Sequence, residues 1–206
     1  MEEILNRYKK PIRALEIGTF FGDNSTQLLL KHLPAGSELF LLDGWQKYRE
    51  GHNLKEDKYA KKMDSLLHLG FLSTIRNVVF NKLSSKREVK VTIIRGKSSN
   101  VLKLLASNTF DFIYIDGSHY YSDVKVDLQN SLRIINQKFG IICGDDLERM
   151  PTLSNMSLAS KHLDNDFYQD FHPGVLLAVG EVIRSVNMKD GFWWTFVREG
   201  NITLRI

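Results

Sequence analysis

The chain has 206 residues, of which 43% are hydrophobic and 25% charged, a make-up that suits one globular domain with a sizeable core. No apolar run approaches the roughly 20 residues that a bilayer span needs, and the opening MEEILNRYKK lacks the layout of a signal peptide, so a cytoplasmic location is expected. The net charge of +4 is spread over basic residues mixed with acids, as in Lys55–Lys62 (KEDKYAKK) and Lys82–Lys90 (KLSSKREVK); it reads as a solvated surface, with no nucleic-acid partner expected.

Along the chain, strands and helices alternate. Residues 13–18 (RALEIG) read as the first strand and Ser25–Leu33 as the helix after it. Behind the turn signal Pro34, Ala35, Gly36, residues 38–43 (ELFLLD) read as a second strand that ends in an acid. Residues 48–83 are polar and helical in parts, with Leu66, Leu67, Leu69, Phe71 and Leu72 available for packing; they read as a helical insertion or lid. Strand patterns return at Val89–Ile94 and Phe110–Ile115, on either side of a short helix pattern at Asn100–Ala106. A helix over Ser122–Ile135 carries Val124, Leu128, Leu132 and Ile135 at helical spacing, and Gly140–Cys143 is the next buried strand. Cys143, the lone cysteine, reads as a small buried thiol, and no disulfide within the chain can form. Gly174–Val186 reads as a helix. Phe192–Arg198 and Ile202–Ile206, joined by Glu199, Gly200 and Asn201, read as a terminal antiparallel hairpin. The expectation is one α/β domain over residues 1–206, Rossmann-like and doubly wound, with a mainly parallel sheet and a C-terminal antiparallel hairpin.

Chemistry begins at Glu16-Ile17-Gly18-Thr19-Phe20-Phe21-Gly22, between the first strand and its helix. Glycine lets the backbone turn tightly and approach a ligand, and the helix start offers unpaired N–H groups. The Gly-x-x-x-Gly spacing departs from the Gly-x-Gly-x-x-Gly fingerprint of pyrophosphate binding, which disfavours NAD or FAD. Asp43 stands at the distance downstream where an acid accepts hydrogen bonds from ribose hydroxyls; a turn or capping role is the alternative. Ile115-Asp116-Gly117-Ser118-His119-Tyr120-Tyr121 closes the fourth strand and Gly144-Asp145-Asp146 the fifth. Three carboxylates at neighbouring strand ends repel unless a cation or protons compensate, and oxygen ligands suit Mg2+ or another hard divalent ion. Taken singly, Asp145 and Asp146 also read as a cap or solvated turn and His119 as a structural histidine, but their joint occurrence at two strand ends favours the metal site.

On these motifs the chain resembles the class I S-adenosylmethionine (SAM)-dependent methyltransferases of the macrocin O-methyltransferase and cephalosporin-hydroxylase-like group. The likeness covers roughly residues 13–147 and rests on the glycine loop, Asp43, IDGSHYYSDVKVDL and GIICGDD; His172-Pro173-Gly174-Val175 through Glu181 also looks like the C-terminal part of related bacterial proteins. The resemblance implies that Glu16, Gly18, Thr19, Phe20, Gly22 and Ser25 contact SAM, that Asp43, with Gly44 and Trp45, holds the ribose, and that Gly96 and Ser98 lie near the adenine. It further implies that Asp116 borders the cofactor and, with Asp145 and Asp146, ligates a divalent metal, with His119 as the base for a hydroxyl acceptor of a sugar or other small molecule. A homo-oligomer is left open. Two other readings stand beside this one, a SAM-binding protein without catalysis and a nucleotide-dependent oxidoreductase. A hydroxylase reading finds no two-histidine, one-carboxylate iron pattern in the sequence.

Overall fold

Side chains alternate across a strand, so a strand buried on both faces must feed two cores. The computed structural model shows this, and it describes residues 1–46, 58–84, 88–183 and 185–197, with the side chains of 58–64 outside the described set. Leu15 and Ile17, Ile113 and Ile115, and Ile142 pack into one core, while Ala14, Leu39 and Leu41, Phe112 and Tyr114, and Ile141 and Cys143 pack into the other.

In chain order the elements are α1 (Glu2–Leu5), β1 (Arg13–Ile17), α2 (Asn24–His32), β2 (Glu38–Asp43), α3 (Lys58–Ser84), β3 (Lys90–Arg95), α4 (Ser98–Leu104), β4 (Phe112–Ile115), α5 (Tyr121–Ile134), β5 (Ile141–Leu147), α6 (Leu153–Ala159), α7 (Pro173–Val182), β6 (Asn187–Lys189) and β7 (Gly191–Phe196). The sheet has seven strands in the order β3-β2-β1-β4-β5-β7-β6. β1 pairs in parallel with β2 and β4, β5 pairs in parallel with β4, and β7 runs antiparallel to β5 and β6. The mainly parallel α/β fold expected from the sequence is therefore present. The chain order reverses between β1 and β4, and in open sheets that switch point opens a crevice at the carboxyl ends of the strands.

Two details add to the sequence reading. The hairpin arms are β6 and β7, joined through Asp190 and Gly191 at φ 53° and 84°, the paired positive angles of a type I′ turn. Ile202–Ile206, the second arm expected from sequence, lies outside the described residues. The expected insertion is, where described, one 27-residue helix, α3, with Leu69 and Leu72 exposed and Phe71 packed on Trp45. Cys143 is buried and free, as its apolar setting predicts. Among the described residues no helix is long and apolar enough to cross a membrane.

Candidate functional site

The crevice starts where β1 ends. Gly18 has φ 89°, and a Cβ on it would lie 1.9 Å from the Asp116 carbonyl oxygen, so only glycine lets the first loop close onto the end of β4. The loop is then locked from three sides. Asp43 at the end of β2 accepts the backbone N–H of Phe20 at 2.8 Å through Oδ2 and that of Trp45 at 2.7 Å through Oδ1. The buried Trp45 indole donates to the Phe20 carbonyl at 2.6 Å, and Thr74 of α3 donates to the same oxygen at 3.0 Å. Asn77 donates to the Phe21 carbonyl at 3.0 Å, so α3 serves as a clamp on the loop.

Glu16 is fully buried, and its two carboxyl oxygens accept the hydroxyls of Ser25 (2.5 Å) and Thr26 (2.6 Å), anchoring α2 on β1. Burial pushes its pKa up to about 8 against the pull of those hydroxyls. Thr19 lies in the same loop with its Oγ1 buried and unpartnered. Gly44 follows Asp43 at the same strand end, and the Gly96 N–H donates to the Asp43 carbonyl at 2.9 Å, which brings the β3 end alongside. Ser98 opens α4 and bonds the buried Asp127 of α5, whose pKa burial raises to about 7. The sequence-predicted cofactor residues Glu16, Gly18, Thr19, Phe20, Gly22, Ser25, Asp43, Gly44, Trp45, Gly96, Ser98 and Asp116 thus lie at the ends of β1, β2 and β4, on the loops that follow β1 to β4, or, for Ser25 and Ser98, in the first turn of the helix beyond the loop.

The neighbouring strand ends hold charge. Asp116 accepts the Tyr114 hydroxyl at 3.1 Å, and burial followed by the charges of Asp146 and Asp145 pushes its pKa up to about 6. β5 is irregular between Gly144 and Leu147: Asp146 sits at φ 63°, and the Trp193 indole holds the Asp145 carbonyl at 3.1 Å. This kink separates the two acids. The Asp145 Oδ1 accepts the Asp146 N–H at 3.1 Å, whereas Asp146 faces two imidazoles, with Oδ2 3.1 Å from His119 Nε2 and Oδ1 3.6 Å from His172 Nδ1. Burial alone would lower the His119 pKa, but its contacts with Asp146 and Asp166 win and push it up to about 10.

Among the described residues, the trio of candidate metal ligands whose donor atoms all lie within 4.8 Å of one another is His119, Asp146 and His172. The structure does not bring Asp116 and Asp145 into that trio with Asp146. It also corrects the statement that no two-histidine, one-carboxylate set is present. His172 escaped the sequence reading because it comes from the start of α7, far along the chain. A signal was there, in the His172-Pro173-Gly174 opening of that helix: a Cβ on Gly174 would lie 2.2 Å from the His119 carbonyl oxygen, and the glycine lets the two segments touch.

The profile of a family described as "Methyltransferase domain" matches residues 15–147, which span β1 to β5. The chain belongs to this methyltransferase family. Its expected likeness to the class I SAM-dependent enzymes holds. No curated protein sequence matches it. Among solved structures, the methyltransferase resembles the O-methyltransferase TomG from Streptomyces achromogenes, involved in tomaymycin synthesis and solved with SAM (18% identity, 94% of this chain and 76% of that one, TM-score 0.55). It also resembles a SAM-dependent methyltransferase from Aquifex aeolicus (16% identity, 95% and 87% covered, TM-score 0.51). A spermidine synthase in complex with the transition-state analogue AdoDATO shares the fold too (12% identity, 96% and 58% covered, TM-score 0.50). The fold therefore does not choose the reaction by itself.

Proposed function

We propose that this methyltransferase uses SAM to methylate a hydroxyl of a small molecule, with a sugar among the candidate acceptors, and that a divalent ion assists at the ends of β4 and β5. The observation that carries the reading is the closure of the Gly18 loop onto Asp116, which puts a backbone cradle and a carboxylate cluster on the two sides of one crevice. The cradle suits SAM: the loop backbone from Gly18 to Gly22 lines one side, the Thr19 hydroxyl is buried and unpartnered, and Asp43, whose oxygens each accept one backbone N–H, keeps lone pairs for the ribose hydroxyls. Glu16 and Ser25 act through the loop and helix they anchor. Gly96 and Ser98 border the adenine side, and Gly44 and Trp45 fix the Asp43 turn.

SAM's sulfonium supplies the methyl group, and the chain's part is to align the acceptor oxygen with it and to take the acceptor's proton. Asp116, raised to about 6, and His119 are the groups offered for the proton; His119, raised to about 10, takes it only once its contacts with Asp146 and Asp166 are given up. Three acids close to one crevice call for positive charge, and in charge they fit a cation. They fit an oxygen cage for Mg2+ poorly, because Asp116 is bonded to Tyr114, Asp145 to its neighbour's N–H, and Asp146 to imidazoles. No step is therefore assigned to Mg2+. Residues 48–83 are proposed to cover the acceptor as a lid, with the described part of α3 hinged on the loop it clamps; protection of this segment from proteolysis by SAM tests that role.

The test of function is calorimetry with SAM, followed by incubation with SAM, divalent ions and fractionated extract, with the methylated product located by mass spectrometry. SAM binding and a hydroxyl-bearing product that gains one methyl group are expected. His119→Ala should lower turnover by roughly 100-fold or more. Binding without transfer across a broad acceptor panel would favour a non-catalytic SAM-binding protein; absence of SAM binding would overturn the proposal.

A further inference from the structure

The outer end of β5 is built around two imidazoles rather than around its acids. His119, behind β4, and His172, at the start of α7, bring their rings to a centroid distance of 4.5 Å, with the Asp146 carboxylate reaching both. An ion bound at about 2.0–2.2 Å to nitrogen and oxygen spaces neighbouring ligand atoms by about 3.0–3.6 Å. The two measured nitrogen–oxygen separations, 3.1 and 3.6 Å, lie at that spacing before any adjustment.

Carboxylates outside the trio also hold the two rings, each in a different way. Asp166 Oδ1 lies 3.3 Å from His119 Nδ1, which leaves Nε2 aimed at Asp146. Glu148 grips His172 twice, with Oε1 2.7 Å from Nδ1 and Oε2 accepting the backbone N–H at 3.1 Å; because Nδ1 is also the nitrogen that faces Asp146, the Glu148 carboxylate stands beside the seat as a further oxygen donor. The Asp166 carboxylate on the far nitrogen of His119 is the outer-shell arrangement typical of metal-bound imidazoles. The backbone supports the same geometry: Asp146 is held at φ 63° by the kink in β5, and the Phe167 ring packs 4.9 Å from His172. All three side chains remain partly open to solvent, so positions for water or a small ligand are left.

We infer that His119, Asp146 and His172 form a seat for a borderline divalent transition ion of the Zn2+ and Fe2+ class. Imidazole donors suit such ions, whereas Mg2+ is served by carboxylates, carbonyls and water. The inference rests on the proposed function only in placing the ion beside the acceptor side of the crevice, and it is tested without SAM or acceptor.

Protein stripped with a chelator is titrated with Co2+ alone and followed by calorimetry, visible absorption and proton NMR. The expected result is one bound equivalent, displaced by Zn2+ and resistant to an excess of Mg2+ of about 100-fold, with paramagnetically shifted imidazole N–H signals from the unaltered protein. His172→Ala should lose Co2+ affinity by about 100-fold or more and Asp166→Asn by about 10–100-fold, while Asp116→Asn keeps the parent affinity. Melting in chelator controls for folding of each variant, and the shifted imidazole signals need no variant at all. Absence of Co2+ binding, absence of shifted imidazole signals, displacement by equimolar Mg2+, or an Asp116→Asn loss equal to that of His172→Ala would each overturn the inference. A parent protein that binds Co2+ through imidazole but does not bind SAM would sink the methyl-transfer reading alone.

Discussion

The two sides of the crevice handle polar groups in opposite ways. Around residues 18–25 nearly every polar group already has a protein partner: Asp43 receives two backbone N–H groups, Glu16 two hydroxyls, and the Phe20 carbonyl both an indole and a threonine. Around residues 116–146 acids face acids, and the compensation comes from histidines that can be drawn into other bonds. A satisfied cradle is rigid before its ligand arrives, and pre-organisation of this kind lowers the cost of binding. A cluster of like charges is poised to exchange its internal contacts for an external cation. One end of a single sheet thus offers a fixed side for holding and a charged side for chemistry.

Breaking the fixed side should cost most at Gly18. In Gly18→Ala the new methyl group must displace the Asp116 carbonyl and the residue must hold φ 89°, so a stability loss of at least about 3 kcal/mol is expected, together with loss of SAM binding. Urea unfolding and calorimetry check the pair. A variant with parent stability would show that the loop does not close on β4 as described.

Next in size is Asp43→Ala, which strands two backbone N–H groups and removes a charged acceptor. Hydrogen bonds to charged groups contribute about 1.5–3 kcal/mol, and SAM affinity should fall by an amount in that range. If the variant binds SAM as tightly as the parent, the ribose assignment fails. Thr74→Val on α3 removes one of the two donors to the Phe20 carbonyl and leaves the indole in place, so a smaller loss of about 1 kcal/mol in stability is expected. A much larger loss would show that α3, rather than Trp45, is the main clamp.

The fixed side was also the more legible one in the sequence. Its residues are contiguous or fall at strand ends: β2 was expected at 38–43 and occupies Glu38–Asp43, and the Gly18–Gly22 loop lies between β1 and α2. Local patterning sets such elements, so it reveals them. On the charged side the order of β4 and β5 was readable, but the orientation of Asp146 was not. A one-residue change in backbone hand at φ 63° turns that carboxylate away from Asp145 and towards His172, and no periodicity in GIICGDD announces it. Long-range partners were missed for the same reason: His172 reaches Asp146 and Glu148, and Asp166 reaches His119, through the packing of α7 and the loop before it. The β6–β7 hairpin has a local signal of its own, the Asp190-Gly191 turn.

The smallest expected effect sharpens the comparison by asking whether the fixed side carries charge at all. Burial raises Glu16 from 4.5 to about 8, so the folded protein holds a proton there that the unfolded chain releases above pH 4.5. The folded state then binds more protons than the unfolded state, and linkage makes this contribution to stability full below pH 4.5 and progressively lost as pH rises towards 8. Glu16→Gln replaces a protonated carboxyl with a neutral amide of similar shape, so the two proteins should melt most alike below pH 4.5, where the parent is protonated folded and unfolded. The difference should appear in slope: the parent loses stability across the interval from pH 4.5 to 8, and the variant loses less. Melting curves of both proteins over that interval decide the matter. Parallel curves would mean that Glu16 is ionised in the folded protein, held by the Ser25 and Thr26 hydroxyls, and that the cradle as well as the β4 and β5 ends carries negative charge towards the crevice.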